Sequence, residues 1–259
     1  MYIIDVFFHY HTDCTLEQGR YLINQVIDQW RYNGQIIGRE IPLYLAEQEN
    51  QPGFAARVIC PQQHSLLPEF NNIEVDRALE KAESAGIFFD SFQVVADDLN
   101  SDSTCQETPH WQLLYTTHLH SCSPLHSGDD FAPIPLYKSL KKAPHLSMDV
   151  IKWQENWQAC DQLQMNGSAL EQHALQQISA IDSTLTKHGR YLAQDIEHHT
   201  GIPTYYYLYR VGGESLATEQ QRRCPSCQQE WKLTEPLFDL FYFKCDHCRL
   251  VSNLSWNWL

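Results

Sequence analysis

The chain has 259 residues, of which 43% are hydrophobic and 19% charged, and a formal net charge of −14. This describes an ordinary globular protein with room for two cored domains, or one domain and a small metal module. No run approaches the roughly eighteen consecutive apolar residues of a spanning helix, so no membrane contact is expected, and the acidic balance disfavours nucleic acid, whose binders normally present a basic face.

Residues 1–11 carry Asp5 and no basic leader, so they do not read as a signal peptide. Residues 2–10 alternate as a strand does, with Ile4, Val6 and Phe8 on one face and Ile3, Asp5, Phe7 and His9 on the other. Thr15 opens a helix, with Gln18 three residues on as a capping box. Leu16, Ile23, Val26, Ile27 and Trp30 form its apolar stripe, and Asn33-Gly34 ends it. Two strands follow, Ile41 to Ala46 and Phe54 to Cys60, joined by a turn-rich stretch ending in Pro52-Gly53. Asn72 caps a second helix to Ala85, with Val75, Leu79 and Ala82 inward and Gly86 as the stop. Phe88 to Ala96 reads as a fourth strand. The order βαββαβ is the ferredoxin-like pattern, so the expected fold class is α+β with a ferredoxin-like N-terminal domain over residues 1–100. Asp5, His9 and His11 would share the sheet face away from the helices, either as acid–base groups or as a face that later segments cover. Residues 53–59 partly echo an RNA-recognition strand, but they lack its leading basic residue and its later aromatics.

Residues 101–146 read as a loop-rich wrap with one strand, Trp111 to His120. In it His118, His120, Cys122 and His126 crowd ligand-type side chains together. On a strand His118 and His120 would point the same way, which suits a second metal; the alternative is a solvated strand end. Residues 147–213 form a helical middle segment plus a strand. Val150, Trp153, Trp157, Cys160 and Leu163 make one stripe, stopped at Asn166-Gly167. Ser168 with Glu171 opens a long helix broken or kinked at Gly189, and Thr204 to Val211 is aromatic enough for a strand. Gly212-Gly213 and the polar residues Glu214 to Gln221 read as a linker.

Residues 222–259 contain Cys224-Pro225-Ser226-Cys227 and Cys245-Asp246-His247-Cys248. Two CxxC knuckles at this separation read as a four-cysteine zinc site in a C-terminal zinc ribbon; redox pairs, the alternative, normally come singly at a helix start. A shell of four thiolates leaves no open position for substrate, so one structural Zn²⁺ is expected and no catalytic role for it. The other five cysteines are scattered and odd in number, which with the knuckles favours a reducing, cytoplasmic location. From Arg222 onward five Lys/Arg (Arg222, Arg223, Lys232, Lys244, Arg249) face four Asp/Glu, leaving −15 on residues 1–221. Those five cations are the candidate nucleic-acid contacts. The tail also holds Trp231, Phe238, Phe241, Tyr242, Phe243, Trp256 and Trp258, more than a ribbon can bury alone. Either they dock on the larger body or they form an exposed binding surface.

Residues 223–227 with Trp231, residues 243–252, residues 114–118 and residues 205–210 together resemble an uncharacterised bacterial family of zinc-ribbon-containing proteins with a suggested nucleic-acid-binding role. The resemblance implies a bacterial cytoplasmic protein and carries over the four zinc cysteines and no catalytic residue. Three functions are therefore expected in order: zinc-ribbon binding of nucleic acid, an acidic protein-interaction adaptor, and a metal-dependent enzyme using His118 and His120.

Overall fold

The structure is a computed structural model that describes residues 1–11 and 14–256. Trp258, counted above among the tail aromatics, lies outside the described residues. The chain divides into two units: Met1–Gln106 with Ser121–Ser123 and Ala132–Met148, and Glu107–His120 with Pro124–Phe131 and Asp149–Leu259.

In the first unit β1 (Tyr2–Tyr10), α1 (Leu16–Asn33), β2 (Leu43–Gln48), β3 (Gln51–Cys60), α2 (Ile73–Ser84) and β4 (Ile87–Asp97) follow in the βαββαβ order. The strands lie side by side as β2-β3-β1-β4, each neighbouring pair antiparallel. Alternation sorts β1 as its sequence suggests: Ile4, Val6 and Phe8 are buried under Ile23, Val26, Ile27 and Trp30 of α1 and Val75 and Ala82 of α2. Each buried Val, Ile or Phe side chain among them stabilises the fold by about 1.5–3 kcal/mol. Leu16, placed in the α1 stripe by its spacing, is instead 50% exposed, and the buried stripe proper starts at Leu22. The caps are those the residues suggest. Thr15 accepts from the Gln18 N–H, Gly34 takes the left-handed conformation (φ 79°), and Asn72 accepts from the N–H groups of Glu74 and Val75. A short helix, α3 (Leu136–Ser139), returns to this unit, where its Tyr137 hydroxyl meets Ser65 Oγ at 2.9 Å.

The second unit is built on one mixed sheet of six strands. They are β5 (Gln112–Leu114), β6 (Leu125–Ser127), β7 (Thr204–Tyr207), β8 (Lys232–Leu237), β9 (Phe241–Cys245) and β10 (Leu250–Asn253), in the order β6-β5-β7-β10-β9-β8. The helices are α4 (His145–Asn166), which belongs to this unit from Asp149 onward, α5 (Glu171–Ser179), α6 (Thr184–Thr200) and α7 (Leu216–Gln220). The three C-terminal strands, β8, β9 and β10, make half of that sheet. β10 runs parallel to β7, with Leu250 opposite Tyr206 and Val251 opposite Tyr207. Both strands are buried along their whole length, the usual state of parallel strands covered on both faces.

Several elements depart from the sequence expectation. The strand expected over Trp111 to His120 stops at Leu114, because side chains of α4 replace its ladder partners. Gln154 and Gln158 donate to Thr116 Oγ1, Gln158 also to the carbonyls of Thr117 and His120, and Asp161 accepts from the His118 N–H. Ser168 does not cap α5; its N-cap is Leu170, at φ 58° and without a side-chain bond. The long helix breaks between Ser179 and Thr184, where Ser183 caps α6, and Gly189 lies inside α6. The polar stretch before the knuckles is no free linker, since it folds as α7 with Ser215 accepting from the Thr218 N–H.

Candidate metal centre

The first knuckle is closed by two backbone bonds, Gln228 N–H to Cys224 O at 2.8 Å and Cys224 N–H to Gln229 O at 2.9 Å, with Gln228 at φ 63°. The second lies between β9, which ends in Cys245, and β10, with Arg249 at φ 53° turning the chain back. The ligand atoms of Cys224, Cys227, Cys245 and Cys248 all lie within 4.8 Å of one another, and the sulfurs of Cys227 and Cys245 are 3.7 Å apart. A tetrahedron with Zn–S bonds of about 2.3 Å has S···S edges of about 3.8 Å, so the tetrad fits a bound metal ion. Burial pushes the Cys245 thiol up to about 12 and raises Cys224, while the Gln229 N–H holds Cys227 below its ordinary value. Only a bound cation would hold all four as thiolates side by side at neutral pH.

Among the described residues no second group of ligand-type side chains converges in this way. His118 Nδ1 lies 2.9 Å from Asp161 Oδ2, which also accepts the His118 backbone N–H. His120 is exposed in the turn beyond. Cys122 belongs to the first unit, and burial pushes its thiol up to about 12. His126 is buried on β6 between Tyr115 and Phe131, and burial lowers its pKa to about 3. The early end of β5 is what removes the shared strand face assumed for His118 and His120. Asp5 is likewise committed, bonded by both carboxylate oxygens to Arg57 at 2.7 and 2.8 Å. His9 and His11 stand over the Phe88 ring, with centroids 4.9 and 5.1 Å from it.

The candidate nucleic-acid contacts are largely held by carboxylates of the chain itself. Arg222 binds Glu219, Ser252 and the Asn253 carbonyl, and its guanidinium lies 4.7 Å from the Trp231 ring centroid and 4.3 Å from that of Phe243. Burial draws its pKa down to about 10, so it stays charged at neutral pH. Arg249 forks onto Glu197 with two bonds of 3.0 Å, Lys244 pairs with Asp246, and Arg223 reaches Glu230 at 3.3 Å. Lys232 is exposed at the start of β8. Missed by the sequence reading is Glu219, 3% exposed, which accepts from both Arg222 and Arg210. Its spacing of three residues from Arg222 was the available signal. The tail aromatics Trp231, Phe241 and Phe243 are buried, Phe241 among Tyr115, Phe131 and Tyr207, whereas Trp256 is 60% exposed.

The fold and the tetrad define an α+β protein whose C-terminal cysteines lie close enough to hold a metal ion. Residues 106–209 match a family model described as a domain of unknown function (DUF2310). Residues 1–96 and 213–258 match two further domains of unknown function, DUF8589 and DUF8594. The chain is 65% identical, over its whole length and all of the other protein's, to a protein of Haemophilus influenzae. A second H. influenzae protein is 64% identical over 78% of this chain and 95% of its own; both are named uncharacterized. The chain therefore belongs to this uncharacterised bacterial family. A solved Deinococcus radiodurans structure, described as a candidate antibiotic biosynthesis monooxygenase, aligns with 40% of this chain and 99% of its own. Its identity is 11% and its TM-score 0.23, which is too low to carry any argument. Among the described residues no helix is long and apolar enough to cross a membrane.

Proposed function

We propose that the chain is a non-enzymatic binding protein, a ferredoxin-like domain followed by a zinc-ribbon unit, in which Cys224, Cys227, Cys245 and Cys248 hold one structural Zn²⁺. Its ligand is a protein partner, and the strongly acidic surface selects a partner of basic character. The observation that carries this reading is the internal pairing of Arg222, Arg223, Lys244 and Arg249. A cation bound to a neighbouring carboxylate cannot release counterions from a phosphate backbone without first losing that partner, and residues 1–221 carry −15 by count. A reducing cytoplasmic setting suits four thiolates on zinc.

The test has two parts. Elemental analysis of the purified protein should give one zinc per chain, falling to none in Cys224→Ser/Cys248→Ser. Fluorescence anisotropy of zinc-loaded protein with short single- and double-stranded DNA and RNA should show no binding even at low salt. Binding that weakens steeply as salt rises would overturn the protein-partner reading in favour of nucleic acid.

A further inference from the structure

β4 is an edge strand. Of its two sides only one is paired, to β1, and from Gln93 to Asp97 every residue is exposed. An unpaired edge presents a row of backbone N–H and C=O groups on which another chain can add, and proteins usually guard such edges with lysine, proline or very short strands. The edges of the other sheet follow that rule: β6 has three residues, and β8 carries Lys232 and Pro236. β4 has eleven residues and no lysine or proline, and is broken only by two register shifts against β1. Those shifts skip Val95 and Asp90, while Gln93, Val94, Ala96 and Asp97 still pair with Asp5, Ile4, Ile3 and Tyr2.

The surroundings of that edge have a definite chemistry. Val94 is 36% exposed, Val95 47%, and Leu99, just past the strand, 94%. Residues 87–104 hold Asp90, Asp97, Asp98 and Asp102 and contain no lysine, arginine or proline. Two nitrogen groups stand nearby: His9 Nδ1 lies 3.5 Å from Asp90, and the Met1 amino group donates to the Asp102 carbonyl at 3.3 Å. An apolar strip with four aspartates around it excludes a second copy of this chain. Antiparallel self-pairing centred on Val94 would set Asp90 against Asp98, and each copy carries −14.

We propose that the outer edge of β4 receives an extended, lysine- or arginine-bearing segment of a partner protein, which adds to the sheet as a further strand. The inference rests on the protein-partner reading above and gives that partner a place and a chemistry. Main-chain bonds supply affinity in such strand addition. Alternate side chains supply specificity, here apolar ones on Val95 and Leu99 and basic ones on the aspartates.

The experiment titrates ¹⁵N-labelled, zinc-loaded full chain with a ten-residue peptide alternating valine and lysine. A control peptide of equal charge has its valines replaced by proline. The expected result is amide shifts concentrated in residues 90–99, with binding at least tenfold weaker for the proline peptide and for the Val95→Lys/Asp97→Lys variant. Circular dichroism and zinc content check that this variant folds. Equal binding by variant and natural chain would overturn the edge site while leaving the protein-partner reading standing. Absence of peptide binding would overturn the edge site as well. A concentration-dependent dimer of the natural chain, lost in the variant, would assign the edge to a second copy and also overturn the proposal. The nucleic-acid titration above separately tests the reading beneath it.

Discussion

At the residue scale the side chain with the largest consequence is one that no metal-ligand or nucleic-acid pattern points to. Glu219 sits at 3% exposure between two guanidinium groups, bonded to Arg210 at 3.0–3.2 Å and to Arg222 at 2.9 Å. Desolvating these charges is offset only because each has its partner. Glu219→Ala would leave Arg210 and Arg222 facing each other without a carboxylate. We expect it to destabilise the protein by about 3–5 kcal/mol, the usual loss when one member of a buried ion pair is removed. Urea denaturation of the zinc-loaded variant would measure this, and a loss below about 1 kcal/mol would show that solvent already screens the pair. Arg222→Ala should be milder, because Glu219 keeps Arg210. The sequence places Arg222 beside a knuckle and so marks it as a surface cation. It cannot show that the chain returns Trp231 and Phe243 to cover both faces of the guanidinium.

At the element scale, periodicity was readable wherever a face packs on one neighbour and failed where side chains stand in for backbone. The alternation of β1 and the stripes of α1 and α2 were legible because each of those elements buries a single face. The strand reading overextends β5 because the glutamines of α4 that end it bond residues 38 to 42 positions earlier in the chain. The cysteine tetrad was legible because its spacing is local; the merger of its strands with β5, β6 and β7 was not, since parallel pairing of β7 with β10 leaves no turn signal. Gly189 shows the same limit. In sequence it looks like a helix breaker. In α6 it is the position where a Cβ would lie 2.3 Å from Tyr206 Cε2 and 2.5 Å from Trp153 Nε1, two buried rings with nowhere to go. Helix propensity alone favours Gly189→Ala by about 1 kcal/mol. Overpacking costs about 1–3 kcal/mol and here meets fully buried aromatics. We therefore expect net destabilisation, read as a lower Tm, and a raised Tm would mean that α6 can shift away from β7.

At the scale of the whole molecule the question is how far loss of the metal would spread. A free-standing ribbon that loses its zinc unfolds alone, because the ion takes the place of its core. Here β9 ends in Cys245 of the tetrad, and β10 lies between β9 and β7 in the middle of the six-stranded sheet. Tyr205 donates to Asp246 at 2.6 Å, and Arg249 bridges the second knuckle to Glu197 of α6. Those contacts carry the loss into β7, and from β7 into β5, which pairs with it in parallel. Removing the metal with a chelator under reducing conditions should therefore speed amide hydrogen exchange by at least tenfold at Tyr205, Tyr206 and Leu114. The effect should not stop at the knuckles. The N-terminal sheet is the internal control: amides of Ile4, Val6 and Phe8 in β1 belong to a separate unit with its own core, and their exchange should stay unchanged. Exchange that rises only within residues 222–256 would mean that the shared sheet is held by its aromatic packing, with the metal fixing the knuckles alone. Lowering the pH should act in the same direction as the chelator. Protons compete with the metal for thiolates, so stability of the second unit should fall as the pH drops, while added zinc restores it.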